Sequence, residues 1–149
     1  MDTRTAERLI NAEMFHYGLI HLGWRFKWDR AKRRRGSADS TKKVITLSKP
    51  LTEVRTEADV RMTILHECAH AIVGTHHMHD SIWRRQFIQM GGDGKRCSTD
   101  REASVAVAKY VVTCNEGGEV LGHINRMLKQ PENRLCKTHR ANITISLNR

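Results

Sequence analysis

Apolar residues recur every three or four positions in several segments of the 149-residue chain, which is the spacing of a helix that buries one face. This pattern predicts a helix over residues 5–22 and a stronger one over residues 56–74. The second has Thr56 as a capping residue and Gly74 as a stop signal. A third helix is expected over residues 80–90, before the helix-breaking sequence GGDG.

Strict alternation of apolar and polar residues replaces the helical spacing in residues 24–29, WRFKWD, and predicts a half-buried strand. A second strand is predicted over residues 44–51, VITLSKPL, where Pro50 ends the strand. Residues 30–43 contain almost no apolar side chain and have Gly and Ser at their centre. They predict an exposed, mobile connection, so the two strands are expected to form a hairpin with a basic tip.

The pattern changes after about residue 95, where short β-like segments alternate with turns. These segments are VAVAKYVVTC, EVLGHI and NITISL. They hold too few apolar residues for a core of their own, and small modules of this kind usually need a metal or disulfide bonds. The chain is therefore predicted to be an α+β protein, with a core domain over residues 1–95 and a β-rich appendage over residues 96–149.

The charge of the chain indicates the class of its partner. There are 26 Lys and Arg residues against 16 Asp and Glu, a formal charge of +10, which favours a polyanion and nucleic acid first. No apolar run approaches the roughly 20 residues that span a membrane, and the N-terminus MDTRTAERLI lacks the apolar core of a signal peptide. An intracellular protein is expected, with its cysteines as thiols or metal ligands.

The helix predicted over residues 56–74 contains the sequence His-Glu-x-x-His. His66 and His70 are four residues apart, so both imidazoles can reach one metal ion from the same face. Because imidazole is neutral, a zinc ion bound there keeps its charge to acidify a water molecule. Glu67 lies beside the two ligands, and it can take the proton of that water and return it to the leaving amine. The motif predicts a zinc-dependent hydrolase with Glu67 as its general base.

A catalytic zinc needs a third protein ligand, and three histidines that follow Gly74 are candidates. His76 gives the most compact spacing. His79 stands at the start of the next predicted helix, from which it can turn back towards the ion, and His77 lies between them. Spacing alone does not choose among the three.

The segment HECAHAIVG…HDSIW resembles the SprT-like zinc metallopeptidases of the Spartan type. In that family a histidine and an aromatic residue open another helix after a variable loop. The resemblance implies His79 as the third ligand and Trp83 as the packed aromatic, with Asp80 where glycine is commoner. GWRFKW and VITLSKPL resemble the family's strands, and the cysteine-bearing tail resembles its zinc ribbon. A small zincin-like core with a zinc-ribbon-like appendage is therefore expected.

The function implied by the resemblance is a zinc endopeptidase that cleaves DNA-bound or DNA-crosslinked proteins. Short chains of this kind are common in bacteriophage genomes, so a phage origin and a cytoplasmic location in the host are expected, with the protein as a monomer. The alternative is a nucleic-acid-binding zinc module with little hydrolytic activity, against which the intact Glu67 argues. A zinc hydrolase with a non-protein substrate is a third class, which no sequence feature selects.

The tail holds four candidate ligands for a second, structural zinc ion: Cys114, His123, Cys136 and His139. Cys136 and His139 have the spacing of a metal knuckle. The usual ribbon has a cysteine where Gly117 stands. His123 would replace that ligand although it does not have the standard spacing, and Cys97 is an alternative ligand. Zinc bound here would supply folding free energy to a segment with little core.

Two groups of cations are candidates for contact with DNA. The first is at the predicted hairpin tip: Arg30, Lys32, Arg33, Arg34 and Arg35. The second borders the predicted zinc site of the appendage: Arg126, Lys137 and Arg140. Flexible cations bind phosphates of any sequence, and no base-reading motif is evident, so contact without sequence specificity is expected.

Overall fold

The computed structural model describes residues 1–96 and 101–148, apart from the side chains of residues 101, 102 and 104. The chain divides into two units, Met1–Ala103 and Ser104–Arg149. The boundary therefore lies later than the predicted one between residues 95 and 96. Helices and two small sheets are both present, which confirms the α+β class.

Among the described residues the α-helices are α1 (Thr3–His16), α2 (Lys49–Glu53), α3 (Glu57–Val73), α4 (Ser81–Gln89) and α5 (Arg101–Ala106). Within the described residues, no helix is both long and apolar enough to cross a membrane. The first helix is shorter than the predicted 5–22. It begins after Asp2, whose carboxylate caps it, and ends before Gly18 and Gly23, which adopt φ values of +70° and +86° that favour glycine.

The sheet of the first unit contains β1 (Arg25–Asp29), β2 (Gly36–Asp39) and β3 (Val44–Ser48) in the order β1-β3-β2. The predicted hairpin of β1 with β3 is wrong, because these two strands are parallel. The strand β2, which the sequence pattern missed, forms the hairpin with β3 instead. Its sequence GSAD has no apolar alternation that would mark a strand. The predicted second strand also ends early, since Pro50 lies in the first turn of α2.

Residues 30–35 connect β1 with β2, and polar contacts hold this crossover segment against the end of β3. The backbone N–H of Ser48 donates to the carbonyl of Arg35 at 2.8 Å, and the Ser48 hydroxyl donates to the carbonyl of Ala31. Asp29 accepts hydrogen bonds from the Ala31 N–H at 2.9 Å and from Arg34 at 2.7 Å. The basic segment is therefore a fixed crossover rather than the tip of a hairpin.

The core of the first unit lies between the sheet and the helices α1, α3 and α4. Large side chains such as Trp83, Phe87 and Ile64 are fully buried there, and each stabilises the fold by about 1.5–3 kcal/mol. The middle of α3, residues 63–70, is buried on all sides. The His-Glu-x-x-His motif thus lies in a fully buried stretch of α3.

The second unit contains β4 (Tyr110–Cys114), β5 (Val120–Ile124) and β6 (Ile143–Leu147), antiparallel in the order β5-β4-β6. Three β-like segments were predicted, and each contributes a strand. The first begins only at Tyr110, because Ala106 still belongs to α5. The apolar run VAVAKYVV predicts a strand over its whole length, and this is wrong at its start, since a short apolar run does not distinguish strand from helix.

Candidate metal centre and catalytic cleft

Three imidazoles converge at the C-terminal half of α3. The Nε2 atom of His79 lies 3.0 Å from Nε2 of His66 and 3.2 Å from Nε2 of His70. Four ligands about 2.0–2.1 Å from a tetrahedral zinc ion lie roughly 3.3–3.4 Å from one another. The three histidines therefore fit one zinc ion and leave its fourth position open.

The protonation of these rings suits metal binding. Burial lowers the pKa of His66 to about 3 and that of His70 to about 4, and the neighbouring imidazoles act in the same direction. Burial also lowers the pKa of His79, as does the nearby Arg96. All three imidazoles are therefore neutral at physiological pH, as metal ligands must be.

His79 reaches the centre because the chain reverses between α3 and α4. Asp80 caps α4 by accepting from the N–H groups of Ile82 and Trp83, at 2.9 and 3.0 Å. Met78 adopts φ +50° in the turn before it. Asp80 also pairs with His77 Nδ1 at 2.8 Å, which holds that ring in a different contact. Of the three candidates for the third ligand, the structure brings His79 to the centre, and not His76 or His77.

Packing orients the ligand rings. The Trp83 indole is fully buried, and its centroid lies 4.6 Å from the rings of His66 and His79 and 5.2 Å from that of His70. The Nδ1 atoms of His66 and His70 are buried and have no hydrogen-bond partner among the described residues. A carboxylate or carbonyl often orients metal-binding histidines through this nitrogen. Here the histidine rings are oriented by packing against the Trp83 indole instead.

Glu67 is buried at 7% relative exposure beside the three histidines. Burial raises its pKa to about 8, although the Arg34 charge and a hydrogen bond from the Ala38 backbone favour the ionised form. Ala38 belongs to β2, so the strand that the sequence missed forms one side of the carboxylate's environment. A carboxyl group with this pKa is mainly protonated at neutral pH, and the charge of a zinc ion at the histidines would lower the pKa towards the ionised form that a general base needs.

The histidines and Glu67 open into a cleft of about 430 Å³. Its lining residues come from the crossover segment and β2 and from the turn between α3 and α4, with Arg96 beyond α4. A hydrogen bond of 2.9 Å between the hydroxyls of Ser40 and Thr75 ties the β2–β3 loop to this turn. The described residues outside the centre that line the cleft are Arg33, Arg34, Arg35, Gly36, Ser37, Ala38, Thr75, Met78 and Arg96.

A second group of ligand-type side chains lies in the second unit: Cys114, Glu119, Cys136 and His139. His139 Nδ1 is 3.5 Å from Cys114 Sγ, 3.9 Å from Cys136 Sγ and 3.3 Å from Glu119 Oε1. Tetrahedral zinc with mixed sulfur, nitrogen and oxygen ligands separates its donor atoms by roughly 3.3–3.8 Å. The four residues fit a closed, structural zinc site.

The fourth member of this group differs from the sequence prediction. His123 lies on β5 opposite Val111, and the structure does not bring it to the other three. Glu119 takes its place, and Gly117 makes room for it. A Cβ at Gly117 would collide with Glu119 Oε2 and lie 2.8 Å from His139 Cε1. Cys97, the other alternative ligand, lies outside the described residues.

The thiol of Cys136 is prepared for metal binding. Its pKa is lowered, mainly by hydrogen bonding from the His139 backbone and further by the Thr138 backbone, although burial opposes this. The pKa of His139 is raised by its contacts with Cys136 and then by the Glu119 charge. The pKa of Cys136 is lowered and that of His139 is raised because the two residues lie close together. A metal ion bound between them would likewise favour the thiolate form of Cys136.

The cations that were predicted to contact DNA fall into three places. Arg30 and Lys32 belong to the crossover segment but do not line the cleft, whereas Arg33, Arg34 and Arg35 do. The third place is on the second unit, where the predicted cations Arg126, Lys137 and Arg140 are all exposed. That three of the five cations of the crossover segment line the cleft of the candidate catalytic residues could not be predicted from the sequence.

Several residues of the two sites were missed from the sequence. Glu119, Met78 and Arg96 stand in no recognisable motif, and they reach their sites only through the turns of the chain. Gly36 belongs with them, because a glycine marks a close backbone approach only within a recognised strand, and β2 was not predicted.

Comparison with known families gives one match. A model of the SprT-like family matches residues 6–103, which include His66, Glu67, His70 and His79. The match covers more than half of the chain. No curated protein matches the chain.

Proposed function

The chain belongs to the SprT-like family, and from this we propose that it is a zinc-dependent endopeptidase that acts on DNA-bound or DNA-crosslinked proteins. The observation that supports the proposal is the convergence of three neutral imidazoles beside a buried carboxylate, at the floor of an open cleft. Zincin-type hydrolysis needs these groups: three ligands, a free coordination position and a proton carrier.

The proposed chemistry assigns one task to each residue. His66, His70 and His79 would hold the zinc ion, which when bound supplies a Lewis acid that polarises the scissile carbonyl and acidifies water. Glu67 takes the proton from the attacking water and delivers it to the leaving amine. The Ala38 backbone N–H, which donates to Glu67, keeps the carboxylate aimed into the cleft.

For the second unit we propose a structural role for zinc. Cys114, Glu119, Cys136 and His139 leave no open coordination position, so the site would contribute to folding and not to hydrolysis. The unit needs such support, because its exposed apolar residues, Val120, Leu121 and Leu147 among them, belong to its strands and contribute little core.

The proposal that DNA is a partner rests on charge. The formal charge is +10, and exposed cations outside the cleft, such as Arg30 on the first unit and Lys137 and Arg140 on the second, are free to meet phosphates. DNA would hold the protease near proteins on the same strand and so raise their effective concentration.

The test compares the zinc-loaded wild type with Glu67→Gln at equal zinc content, using a purified DNA-binding protein with and without DNA. We expect cleavage by the wild type that DNA accelerates, and a rate about 10²–10⁴-fold lower for the variant. DNA binding by both proteins without cleavage by either would instead support a nucleic-acid-binding zinc module. Cleavage that is unaffected by DNA would support the proposed peptidase activity and contradict the proposal that its substrates are bound to DNA.

A further inference from the structure

The cleft has a strong excess of positive charge that the proposed hydrolysis does not use. Four arginines line it: Arg33, Arg34, Arg35 and Arg96. Among the described lining residues, Glu67 supplies the only carboxylate. A zinc ion at the histidines would make the cleft more positive still.

These guanidinium groups act on the same space as the candidate catalytic residues. Arg34 and Arg35 line the cleft together with His66 and Glu67, and Arg96 lines it together with His79. An anionic group that enters the cleft is therefore attracted by several guanidinium groups.

Two of the four arginines are available to a ligand. Arg34 is engaged by Asp29 at 2.7 Å, and Arg35 also has a contact within the protein. Arg33 and Arg96 are exposed, and the described part of the chain offers neither of them an ion-pair partner. Because the crossover segment is held at Asp29 and Ser48, Arg33 extends from a fixed backbone.

The position of the charge distinguishes between the two polyanions that could use it. A nucleic-acid strand lodged in a cleft of about 430 Å³ would fill the space that a peptide needs in front of Glu67. An acidic side chain of the substrate would enter together with the scissile bond, and it would be held by charge-assisted hydrogen bonds. The cleft therefore suits a peptide carboxylate better than a phosphate backbone.

We propose that the cleft selects protein substrates that have an aspartate or glutamate next to the scissile bond, and that Arg33 and Arg96 bind this carboxylate. The proposal rests on the proposed endopeptidase function. It specifies what that function leaves open, namely which sequences are cleaved. The two arginines are specificity residues and take no part in the proton transfer.

The first experiment locates the cleavage sites. A proteome-derived peptide library with blocked ends is digested by the zinc-loaded protein, and the products are identified by mass spectrometry. We expect acidic residues to be enriched beside the cleaved bonds. Blocked ends exclude the other source of a carboxylate, the C-terminus of the peptide.

The second experiment measures the contribution of the arginines with matched peptides. The best acidic peptide is compared with its Glu→Gln counterpart, and we expect kcat/KM to be roughly tenfold higher for the acidic one. The double variant Arg33→Ala/Arg96→Ala should bring this ratio close to unity. Arg25→Ala is the matched control, since Arg25 is exposed on β1 at the opposite edge of the sheet.

The outcomes separate the two proposals. If the wild type cleaves peptides without a preference for acidic residues, the proposed selectivity is overturned but the proposed peptidase activity stands. The absence of any cleavage by the zinc-loaded wild type removes the peptidase, and the selectivity with it. A double variant that loses affinity for a single-stranded oligonucleotide but keeps the Glu/Gln ratio would assign the arginines to phosphate binding and overturn the proposal.

Discussion

Gly36 on β2 lies directly against Glu67. A Cβ built at Gly36 would lie 3.0 Å from Glu67 Cγ and 3.2 Å from Oε1, and only 2.8 Å from the carbonyl oxygen of Thr46. The glycine is needed for space and not for an unusual backbone angle, because its φ lies outside the left-handed region. The edge strand can therefore form one side of the catalytic carboxylate's pocket only while residue 36 has no side chain.

Replacing Gly36 by alanine should displace both β2 and Glu67. We expect Gly36→Ala to lower the free energy of unfolding by about 1–3 kcal/mol, because the new methyl group has no space. Peptidase activity should fall further than stability accounts for, since the carboxylate moves. Denaturant unfolding and kcat on one peptide measure the two effects.

The control for this change is Gly122→Ala on β5. A Cβ at Gly122 would have no heavy atom within 4 Å, so this variant should unfold at the same denaturant concentration as the wild type. If Gly36→Ala were as stable and as active as Gly122→Ala, the close approach of β2 to Glu67 would be refuted.

Histidine substitutions between α3 and α4 test the choice of the third ligand. His79→Ala should lose the zinc ion of the first centre, because two imidazoles remain where three are needed. His77→Ala should keep the zinc and lose only the contact with Asp80. Elemental analysis after dialysis against a mild chelator measures this difference. Loss of zinc from His77→Ala, with none from His79→Ala, would contradict the arrangement.

The second site predicts a different pattern of zinc loss. Cys136→Ser should remove one zinc ion per chain and unfold the second unit, because metal binding there contributes to folding. Glu119→Gln should weaken the binding of that zinc ion, since a neutral amide replaces a charged oxygen ligand. His123→Ala should leave the zinc content unchanged. A wild-type protein that retains only one zinc ion would rule out the second site.

Asp29 links the crossover segment to stability at low pH. Burial alone would raise its pKa, but hydrogen bonds from Ala31, Thr46 and Arg34 outweigh this and lower the pKa below the model-peptide value. The folded protein therefore binds this proton less readily than the unfolded chain does. The stabilisation from Asp29 is present above the unfolded pKa of about 3.9, and it is lost as the pH falls through the lower folded pKa.

Asp29→Asn should therefore reduce the loss of stability between about pH 5 and pH 2, measured as the free energy of unfolding in urea. Glu53→Gln, which alters an exposed carboxylate at the end of α2, is the control and should keep the wild-type slope. Equal slopes for all three proteins would show that Asp29 does not hold the crossover segment.

Features that depend on neighbours in the chain were predictable. The spacing of His66 and His70 placed both on one face of a capped helix, because helix geometry relates residues four positions apart. As predicted, α3 begins after Thr56 and ends before Gly74, since capping uses local backbone groups. The SprT-like resemblance rested on the same short segments, and the family match confirms it.

The features that could not be predicted depend on segments distant in the chain. The parallel pairing of β1 with β3 is a long-range contact, and the short strand β2 owes its existence to pairing with β3 and packing on α3. The second site shows the same limit, since Glu119 and not His123 meets Cys136 through the turn at Gly117. Side chains brought together by packing leave no fixed spacing in the sequence, so only the folded chain shows that Arg33 and Arg96 line the same cleft as Glu67.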